Sequence, residues 1–349
     1  MPRLVALDAS PGPRFVAALT AAWAAGDAVF PVDPRLPLPV RAGLLEAMRV
    51  GEAVEEGDAL VVATSGSTGD PKGAVLTHEA IDASARATSA RLEVDPRTDL
   101  WLSCLPLAHV GGLGVVTRAL CTGTPLTFDV AHQGATLVSL VRPQLSRMET
   151  SRFRAVLLGG GPPPHEVPAN VVVTYGMTES GGGVVYDGVP LDGVEVRVDD
   201  GGQVWLRGPT LLSCYRDGTD PKDAQGWFPT GDLGALGEDG RLAVQGRAAE
   251  VIVTGGEKVF PSVLEDALRA HPAVADVAVT GRPDDEWGRR VVALVVPRGR
   301  PPSLEELRAC VKERLPAWCA PRELVLVDEL PRSALGKLRR AALPESGYE

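Results

Sequence analysis

A stretch rich in glycine and hydroxyl side chains, TSGSTGDPKG at residues 64–73, has the composition of a loop that binds phosphate. Its backbone N–H groups and hydroxyls can donate hydrogen bonds to phosphate oxygens, and Lys72 can neutralise part of the charge of a polyphosphate. The stretch does not fit the Walker A pattern, because Lys72 follows Pro71 and precedes Gly73. Its composition is equally compatible with a polar surface turn, so other parts of the chain must decide between the two.

The neighbouring segments predict a layered α/β domain around this stretch. The apolar run at 59–63 is typical of a buried strand that leads into the loop, and Thr77 is expected to cap a helix that ends near Leu92. A second helix is expected at 111–121. Further short apolar runs predict strands at 28–32, 100–105, 125–128, 155–158 and 171–173. This alternation predicts a large N-terminal α/β domain, with the loop between a strand and a helix.

Two later regions have other patterns. After Gly188, short alternating runs flank Asp-Gly turns near residues 200 and 239, which predicts an antiparallel β portion. From Arg247 onward, the pattern of a small α+β domain predicts helices at 262–271 and 303–315 and strands at 274–280, 291–296 and 323–327. We therefore predict an N-terminal domain at residues 1–246 and a C-terminal domain at residues 247–349.

The composition argues against two kinds of partner. A formal net charge of −10 disfavours binding to nucleic acid and to an anionic membrane surface. The chain shows no signal-peptide pattern at its start and no apolar run of about 18 residues, so we expect no stable membrane association. Its five cysteines form no CxxC pair and are expected to be buried free thiols. We expect a cytoplasmic protein, whose oligomeric state (a homodimer is one alternative) the sequence leaves open.

Five motifs, in order along the chain, resemble those of the adenylate-forming superfamily of acyl-CoA synthetases, luciferases and peptide-synthetase adenylation domains. TSGSTGDPKG, followed by LTHEAI, is similar to the phosphate loop of that superfamily. The other motifs are YGMTES at 175–180, TGDLG at 230–234, GRAAEVIVTGGEKVFPSVLE at 246–265 and LPRSALGKLRR at 330–340. The resemblance implies that a carboxylic acid and ATP form an acyl-adenylate, which a thiol, usually that of coenzyme A, then attacks. It also implies a mobile C-terminal domain with a hinge near residues 247–250.

The resemblance assigns catalytic roles to individual residues. Lys337 is expected beside the α-phosphate and the attacking carboxylate, where a cation screens the two anions. Glu179 is expected to bind Mg²⁺, which prefers carboxylate and phosphate oxygens. Thr178 and His109 complete the expected catalytic set.

The resemblance also assigns residues that bind ATP and coenzyme A. Tyr175 offers an aromatic face to adenine, although a core tyrosine is the alternative, and Asp232 can accept hydrogen bonds from both ribose hydroxyls. The full expected ATP site comprises Thr64, Ser65, Gly66, Ser67, Thr68, Gly69, Lys72, Gly159, Gly160, Tyr175, Gly176, Met177, Asp232 and Arg247. Gly255 and Gly256 are expected to line the path of the pantetheine arm of coenzyme A.

The acid substrate is expected to bind along residues 105–123, with Gly160 and Thr178 nearby. His109 is expected to flank the acyl site, although a structural histidine fits the same position. Arg118 is surrounded by apolar residues in the predicted helix, and it either extends to solvent or pairs with a second carboxylate of the substrate. The pattern of HVGGL followed by Arg118 is similar to that of the o-succinylbenzoate–CoA ligases of menaquinone synthesis, whose substrate carries two carboxylates.

The sequence departs from the superfamily pattern in two places. Only 63 residues precede the phosphate loop, so part of the first subdomain is expected to be abbreviated. Ala249 occupies a hinge position that is often Asp or Lys, and the adjacent Glu250 could take over a polar role. Three alternatives stay open: a ligase for another aryl or small acid, an enzyme that loads a carrier protein, and a homologue that binds adenylates without catalysis. An idle homologue would be expected to lack Lys337 or Glu179.

Overall fold

The computed structural model describes residues 1–65, 71–164, 166–332 and 338–344, without the side chains of Ser65 and Ala341. The chain divides into two compact units, each assembled from three segments. The first unit comprises Met1–Arg197, Trp205–Pro229 and Gly237–Leu242, and the second comprises Val198–Val204, Thr230–Leu236 and Ala243–Glu349. The domain boundary predicted at residue 247 stays a prediction. Within the described part of the chain, no helix has the length and apolar character needed to span a membrane.

A four-stranded sheet in the first unit frames the glycine-rich stretch. Its strands, in order, are β1 (Leu4–Asp8), β2 (Ala28–Val32), β3 (Asp58–Ser65) and β4 (Pro71–Thr77), and its helices are α1 (Pro13–Ala24) and α2 (Leu38–Ala47). The first three strands are parallel, and β4 is antiparallel to β3. The prediction that the loop lies between a strand and a helix is therefore wrong, because the apolar residues after the loop first pair with β3.

A seven-stranded sheet forms the rest of the first unit's layered core. Its strands, named along the chain, are β5 (Trp101–Leu102), β6 (Leu126–Thr127), β7 (Leu137–Val141), β8 (Ala155–Gly159), β9 (Val171–Met177), β10 (Gly182–Tyr186) and β11 (Val189–Pro190). Their order in the sheet is β11-β10-β9-β8-β7-β5-β6, with β5 to β9 parallel. The associated helices are α3 (His78–Arg91), α4 (Val110–Thr122) and the short α5 (Arg142–Leu145). Thr77 caps α3 as predicted, since its hydroxyl accepts a hydrogen bond from the Ala80 N–H at 3.1 Å.

The next four strands form a separate sheet. They lie in the order β12 (Glu195–Val198), β13 (Gln203–Arg207), β14 (Phe228–Leu236) and β15 (Leu242–Arg247). The predicted Asp-Gly turns are confirmed between β12 and β13 and between β14 and β15. The turn before β13 is closed by a hydrogen bond from the Gly202 N–H to the Asp199 carbonyl at 2.8 Å.

The remaining strands and helices of the second unit form an α+β arrangement, as predicted. They are β16 (Ile252–Thr254), β17 (Glu257–Val259), α6 (Pro261–Arg269), β18 (Val274–Asp284), β19 (Gly288–Pro297), α7 (Leu304–Lys312) and β20 (Glu323–Leu326). Strand β19 lies between β18, which is antiparallel to it, and β20, which is parallel. Apolar side chains of α6 and α7, such as Leu264 and Leu307, are fully buried against this sheet. Ser303 caps α7 in a capping box with Glu306.

A buried ionic cluster links α6 to strand β18 and to Arg340, the last residue of the LPRSALGKLRR motif. The carboxylate of Glu265, which is 4% exposed, accepts a hydrogen bond from the Val279 N–H at 2.9 Å and pairs with the Arg340 guanidinium at 2.7 Å. Arg340 also pairs with Glu250 at 2.7 Å. Glu250, the polar residue next to Ala249 in the predicted hinge, is therefore paired with Arg340 within the second unit.

We expect Glu265→Ala to lower the free energy of unfolding by about 3 kcal/mol, because it leaves a buried N–H and part of a guanidinium without their acceptor. Urea unfolding of the full chain, followed by circular dichroism, would measure the loss. Glu305→Ala on the exposed side of α7 is the matched control. If the two variants lost the same stability, the cluster would have no special role.

Candidate active site

The β3–β4 hairpin places Thr64 directly opposite Lys72 at the two ends of the glycine-rich stretch. Both residues therefore flank the predicted phosphate loop. Four predicted ATP-binding residues lie outside the described residues, namely Gly66, Ser67, Thr68 and Gly69. Ser65 is described only as the last backbone position of β3.

The YGMTES motif continues from the end of β9 into a short turn. Tyr175, Gly176 and Met177 are the last residues of the strand, and Thr178 and Glu179 begin the turn. A side chain at Gly176 could not be accommodated, because its Cβ would lie 1.9 Å from the Gly182 carbonyl oxygen. Glycine at this position therefore allows the backbone of β10 to pack closely against the end of β9.

The fully buried Ser180 holds this turn in shape. Its hydroxyl donates to the Gly182 carbonyl at 2.8 Å and accepts a hydrogen bond from the Met177 N–H at 3.0 Å. Ser180 belongs to the YGMTES motif, but its supporting role could not be recognised from spacing alone. These hydrogen bonds of Ser180 fix the backbone of the turn that carries Glu179.

Glu179 has one carboxylate oxygen engaged and one available. The Tyr215 hydroxyl donates to Oε1 at 3.0 Å, and Oε2 forms no hydrogen bond with any described residue. The described residues include no cluster of three or more His, Cys, Asp or Glu that could hold a metal ion. Glu179 fits a Mg²⁺ ion that takes its remaining ligands from phosphate and water, since Mg²⁺ is commonly held by one or two carboxylates and substrate phosphates.

The neighbouring strand contributes a second glycine-lined edge. Gly159 ends β8, and a Cβ there would lie 2.8 Å from the Thr174 hydroxyl oxygen. Gly160 has a φ of 83°, in the left-handed region that favours glycine. Because β8 and β9 are parallel neighbours, their carboxyl ends bring Gly159 and the YGMTES turn to the same edge of the sheet.

Helix α4 and the residue before it carry two of the four residues predicted for the acyl site. His109 immediately precedes the helix, and burial lowers the pKa of its imidazole, which is therefore neutral at pH 7. A nearby cavity of about 200 Å³ is lined in part by Asp33, Arg35, Cys104 and Ala108. The Arg35 side chain forms a bidentate ion pair with Asp33, with Nη2 at 2.7 Å. Sequence patterns had not singled out this ion pair.

Arg118 is buried within the first unit, with 6% of its surface exposed. Its guanidinium lies 5.1 Å from the centre of the Trp101 ring, and its Nη1 reaches the Ser139 hydroxyl only at 3.5 Å. No carboxylate among the described residues forms an ion pair with it, and burial lowers the pKa of the group. Arginine nevertheless stays protonated. The alternative that Arg118 extends to solvent is thus wrong.

In the second unit, the structure brings together Asp232 and Arg247. The Arg247 Nε lies 3.1 Å from Asp232 Oδ1, and its Nη1 donates to the Thr230 carbonyl at 2.9 Å. The Asp232 N–H also donates to the Thr230 hydroxyl at 3.1 Å. Arg247 therefore fixes the carboxylate that the sequence predicts for ribose.

The other predicted residues of the second unit are Gly255, Gly256 and Lys337. Both glycines form the turn between β16 and β17, with φ values of 58° and 85°. Lys337 lies outside the described residues. On either side of it, Arg332 and Leu338 pair in an antiparallel bridge, and the Arg339 N–H donates to the Pro331 carbonyl at 2.9 Å.

Two family models match the sequence. The AMP-binding enzyme family matches residues 46–216, and the AMP-binding enzyme C-terminal domain matches residues 263–337. A protein from Mycobacterium tuberculosis H37Rv named "Probable 2-succinylbenzoate--CoA ligase" is 46% identical over 337 residues, covering 86% of this chain and 87% of that protein. The 2-succinylbenzoate–CoA ligase of Bacillus cereus Q1 is 34% identical over 333 residues, covering 81% of this chain and 69% of that protein.

Solved structures of Bacillus subtilis o-succinylbenzoate CoA synthetase (MenE) share this fold. The complex with the acyl-adenylate intermediate OSB-AMP has a TM-score of 0.88 and 27% identity, covering 99% of this chain and 89% of that chain. The complex with ATP and magnesium ion has a TM-score of 0.86 and 27% identity, covering 98% and 89%. The predicted fold class, a large α/β domain with a small α+β C-terminal domain, is confirmed.

Proposed function

The chain belongs to the AMP-binding, adenylate-forming enzymes and, within them, to the 2-succinylbenzoate–CoA ligases, and we propose that it makes 2-succinylbenzoyl-CoA for menaquinone biosynthesis. The substrates are 2-succinylbenzoate, ATP and coenzyme A, and the other products are AMP and pyrophosphate. The 46% identity over 86% of this chain with a protein of that name carries the proposal. The presence of Glu179 and Lys337 argues against an idle homologue.

In the first step, a carboxylate oxygen attacks the α-phosphorus of ATP, and the bond from that phosphorus to the β-phosphate oxygen breaks. Both reactants are anions, so preorganised cations stabilise the transition state. We assign Lys72 and the glycine-rich stretch to the β- and γ-phosphates, which leave as pyrophosphate. Lys337 is assigned to the α-phosphate and the attacking carboxylate. Glu179 would hold Mg²⁺, which would neutralise charge at the phosphate oxygens.

In the second step, the sulfur of coenzyme A attacks the acyl carbon, and AMP leaves with the electron pair of its bond to that carbon. We assign the backbone of the Gly255–Gly256 turn to the pantetheine arm and His109, with Thr178, to the acyl group. The C-terminal domain at 247–349 is proposed to rotate about residues 247–250 between the steps, as hinge residues absorb backbone changes.

The nucleotide is assigned to two sets of residues. In the first unit, Tyr175 would stack on adenine, and the backbone of Gly159, Gly160, Gly176 and Met177 would approach the purine. In the second unit, Asp232 would accept hydrogen bonds from the ribose hydroxyls. Its ion pair with Arg247 supports this role by orienting the carboxylate.

Arg118 favours an acid with two carboxylates over a simple aryl or fatty acid. An unpaired buried guanidinium is costly to the folded protein unless something compensates it. A second substrate carboxylate beside α4 would supply the missing charge, with the bidentate geometry that arginine favours. Arg118 contacts Trp101 and Ser139, and no carboxylate of the described residues pairs with it.

Incubation with a panel of acids tests the substrate assignment. We expect ATP–pyrophosphate exchange with 2-succinylbenzoate to exceed exchange with benzoate or other monoacids, and mass spectrometry should detect 2-succinylbenzoyl-CoA once coenzyme A is added. Strong exchange with benzoates but none with 2-succinylbenzoate would instead support a ligase for another aryl acid. Transfer to a carrier protein, but not to coenzyme A, would support a carrier-loading enzyme.

We also propose that the protein works in the cytoplasm without stable membrane association. All five cysteines are free thiols, as suits a reducing compartment. Size-exclusion chromatography with light scattering would decide between a monomer and the homodimer considered above.

A further inference from the structure

The segment 212–216 lies against both the strand that carries Lys72 and the turn that carries Glu179. The Leu212 N–H donates to the Glu179 carbonyl at 2.8 Å, and the Arg216 N–H donates to the Gly73 carbonyl at 2.7 Å. Ala74 and Tyr215 also pair in an antiparallel bridge. This segment is not part of any motif singled out above, yet its backbone joins two parts of the candidate ATP site.

The side chain of Tyr215 contacts the functional groups of both parts. Its hydroxyl donates to Glu179 Oε1 at 3.0 Å, and the Lys72 ammonium lies 5.0 Å from the centre of its ring. Both Tyr215 and Glu179 are 9% exposed, so solvent competes weakly for this hydrogen bond. One tyrosine thus spans the distance between an anionic and a cationic residue of the site.

This arrangement has separate consequences for the two partners. A hydrogen bond to a carboxylate is stronger than one between neutral groups, so the hydroxyl restricts the rotation of Glu179 and leaves Oε2 directed to another ligand. The face of an aromatic ring attracts a cation within about 6 Å of its centre, so the ring favours a folded-back position of Lys72. Both groups are thereby oriented before a nucleotide binds.

We infer that Tyr215 is a positioning residue for magnesium-bound ATP: its hydroxyl orients Glu179 toward the ion, and its ring orients Lys72 toward the phosphates. This inference rests on the proposed function, since it takes the adenylation site as the place where both residues act. Tyr215 itself transfers no proton and forms no bond in the reaction.

The test compares Tyr215→Phe, Tyr215→Leu and Ser213→Ala. Tyr215→Phe removes only the hydroxyl, and we expect the Mg²⁺ concentration for half-maximal ATP–pyrophosphate exchange to rise about tenfold. Tyr215→Leu also removes the ring, and we expect a further rise in the KM for ATP of about threefold. Ser213→Ala is the matched control on the same segment, because its hydroxyl makes only long contacts, with the Val75 carbonyl at 3.4 Å and with the Cys214 sulfur at 3.9 Å.

Two further measurements separate positioning from a loss of structure. Melting temperatures and circular dichroism should show that Tyr215→Phe is folded like Ser213→Ala. In a Glu179→Ala background, Tyr215→Phe should no longer change the Mg²⁺ dependence. An unchanged Mg²⁺ dependence in Tyr215→Phe, or the same change in the Glu179→Ala background, would overturn the inference.

Calorimetric binding of ATP, with Mg²⁺ or with a chelator and without any acid, distinguishes this inference from the proposed function. If no acid supported exchange but Tyr215→Phe still weakened only the Mg²⁺-dependent part of ATP binding, the proposed reaction would fail and the inference would stand. If the wild type exchanged with 2-succinylbenzoate but Tyr215→Phe bound ATP like the wild type under both conditions, only the inference would fail.

Discussion

Replacing Arg118 with methionine should lower kcat/KM for 2-succinylbenzoate by about 10²–10³-fold, the loss typical of truncating one partner of a buried, hydrogen-bonded charge pair. The guanidinium is 6% exposed and has no carboxylate partner among the described residues, so the substrate's second carboxylate would be the group that loses its counter-charge. An analogue that lacks this carboxylate should be affected little. Steady-state kinetics with both acids would measure the difference.

The same substitution should raise the melting temperature of the unliganded protein by about 2–4 °C, because an apolar side chain replaces an uncompensated buried charge. Activity and stability would then change in opposite directions, which a general structural defect cannot produce. Arg86→Met on α3 is the control, since Arg86 is exposed and its ion pair is with Asp82 on the same helix. An equal loss of kcat/KM with both acids would remove Arg118 from the substrate site.

Replacing Lys337 with alanine should lower the rate of ATP–pyrophosphate exchange by about 10²–10³-fold, the usual effect of removing one group that stabilises transition-state charge. The second half-reaction should be nearly unchanged when acyl-adenylate and coenzyme A are supplied, because the phosphorus is no longer attacked in that step.

Lys312→Ala is the control for this experiment, because Lys312 is an exposed lysine at the end of α7 in the same unit. It should leave both half-reactions unchanged. Exchange at the wild-type rate in Lys337→Ala would refute the assigned role, whereas equal losses in both half-reactions would indicate a role in holding the nucleotide rather than in adenylation.

Much of the fold could be predicted from the sequence, because strands and helices have short-range periodic signals. The helix capped by Thr77, the strands at 28–32 and 155–158 and the small α+β pattern after Arg247 are all present. Strand β4 was not predicted, because its few apolar residues lie between the glycine-rich stretch and the residue that caps helix α3. Pairing with β3, which is a contact between separate segments, determines that it is a strand.

The sequence by itself determined the family, the order of the motifs and the chemical types of the site residues, since these depend on residue identity and spacing. It placed Arg118 on a helix but left open whether the guanidinium reaches solvent. Only the tertiary structure decided that Arg118 is buried with no carboxylate partner among the residues it describes, that Arg247 holds Asp232, and that Tyr215 contacts both Glu179 and Lys72. Burial and partners depend on how segments distant in the chain pack together, and no local pattern of residues specifies that packing.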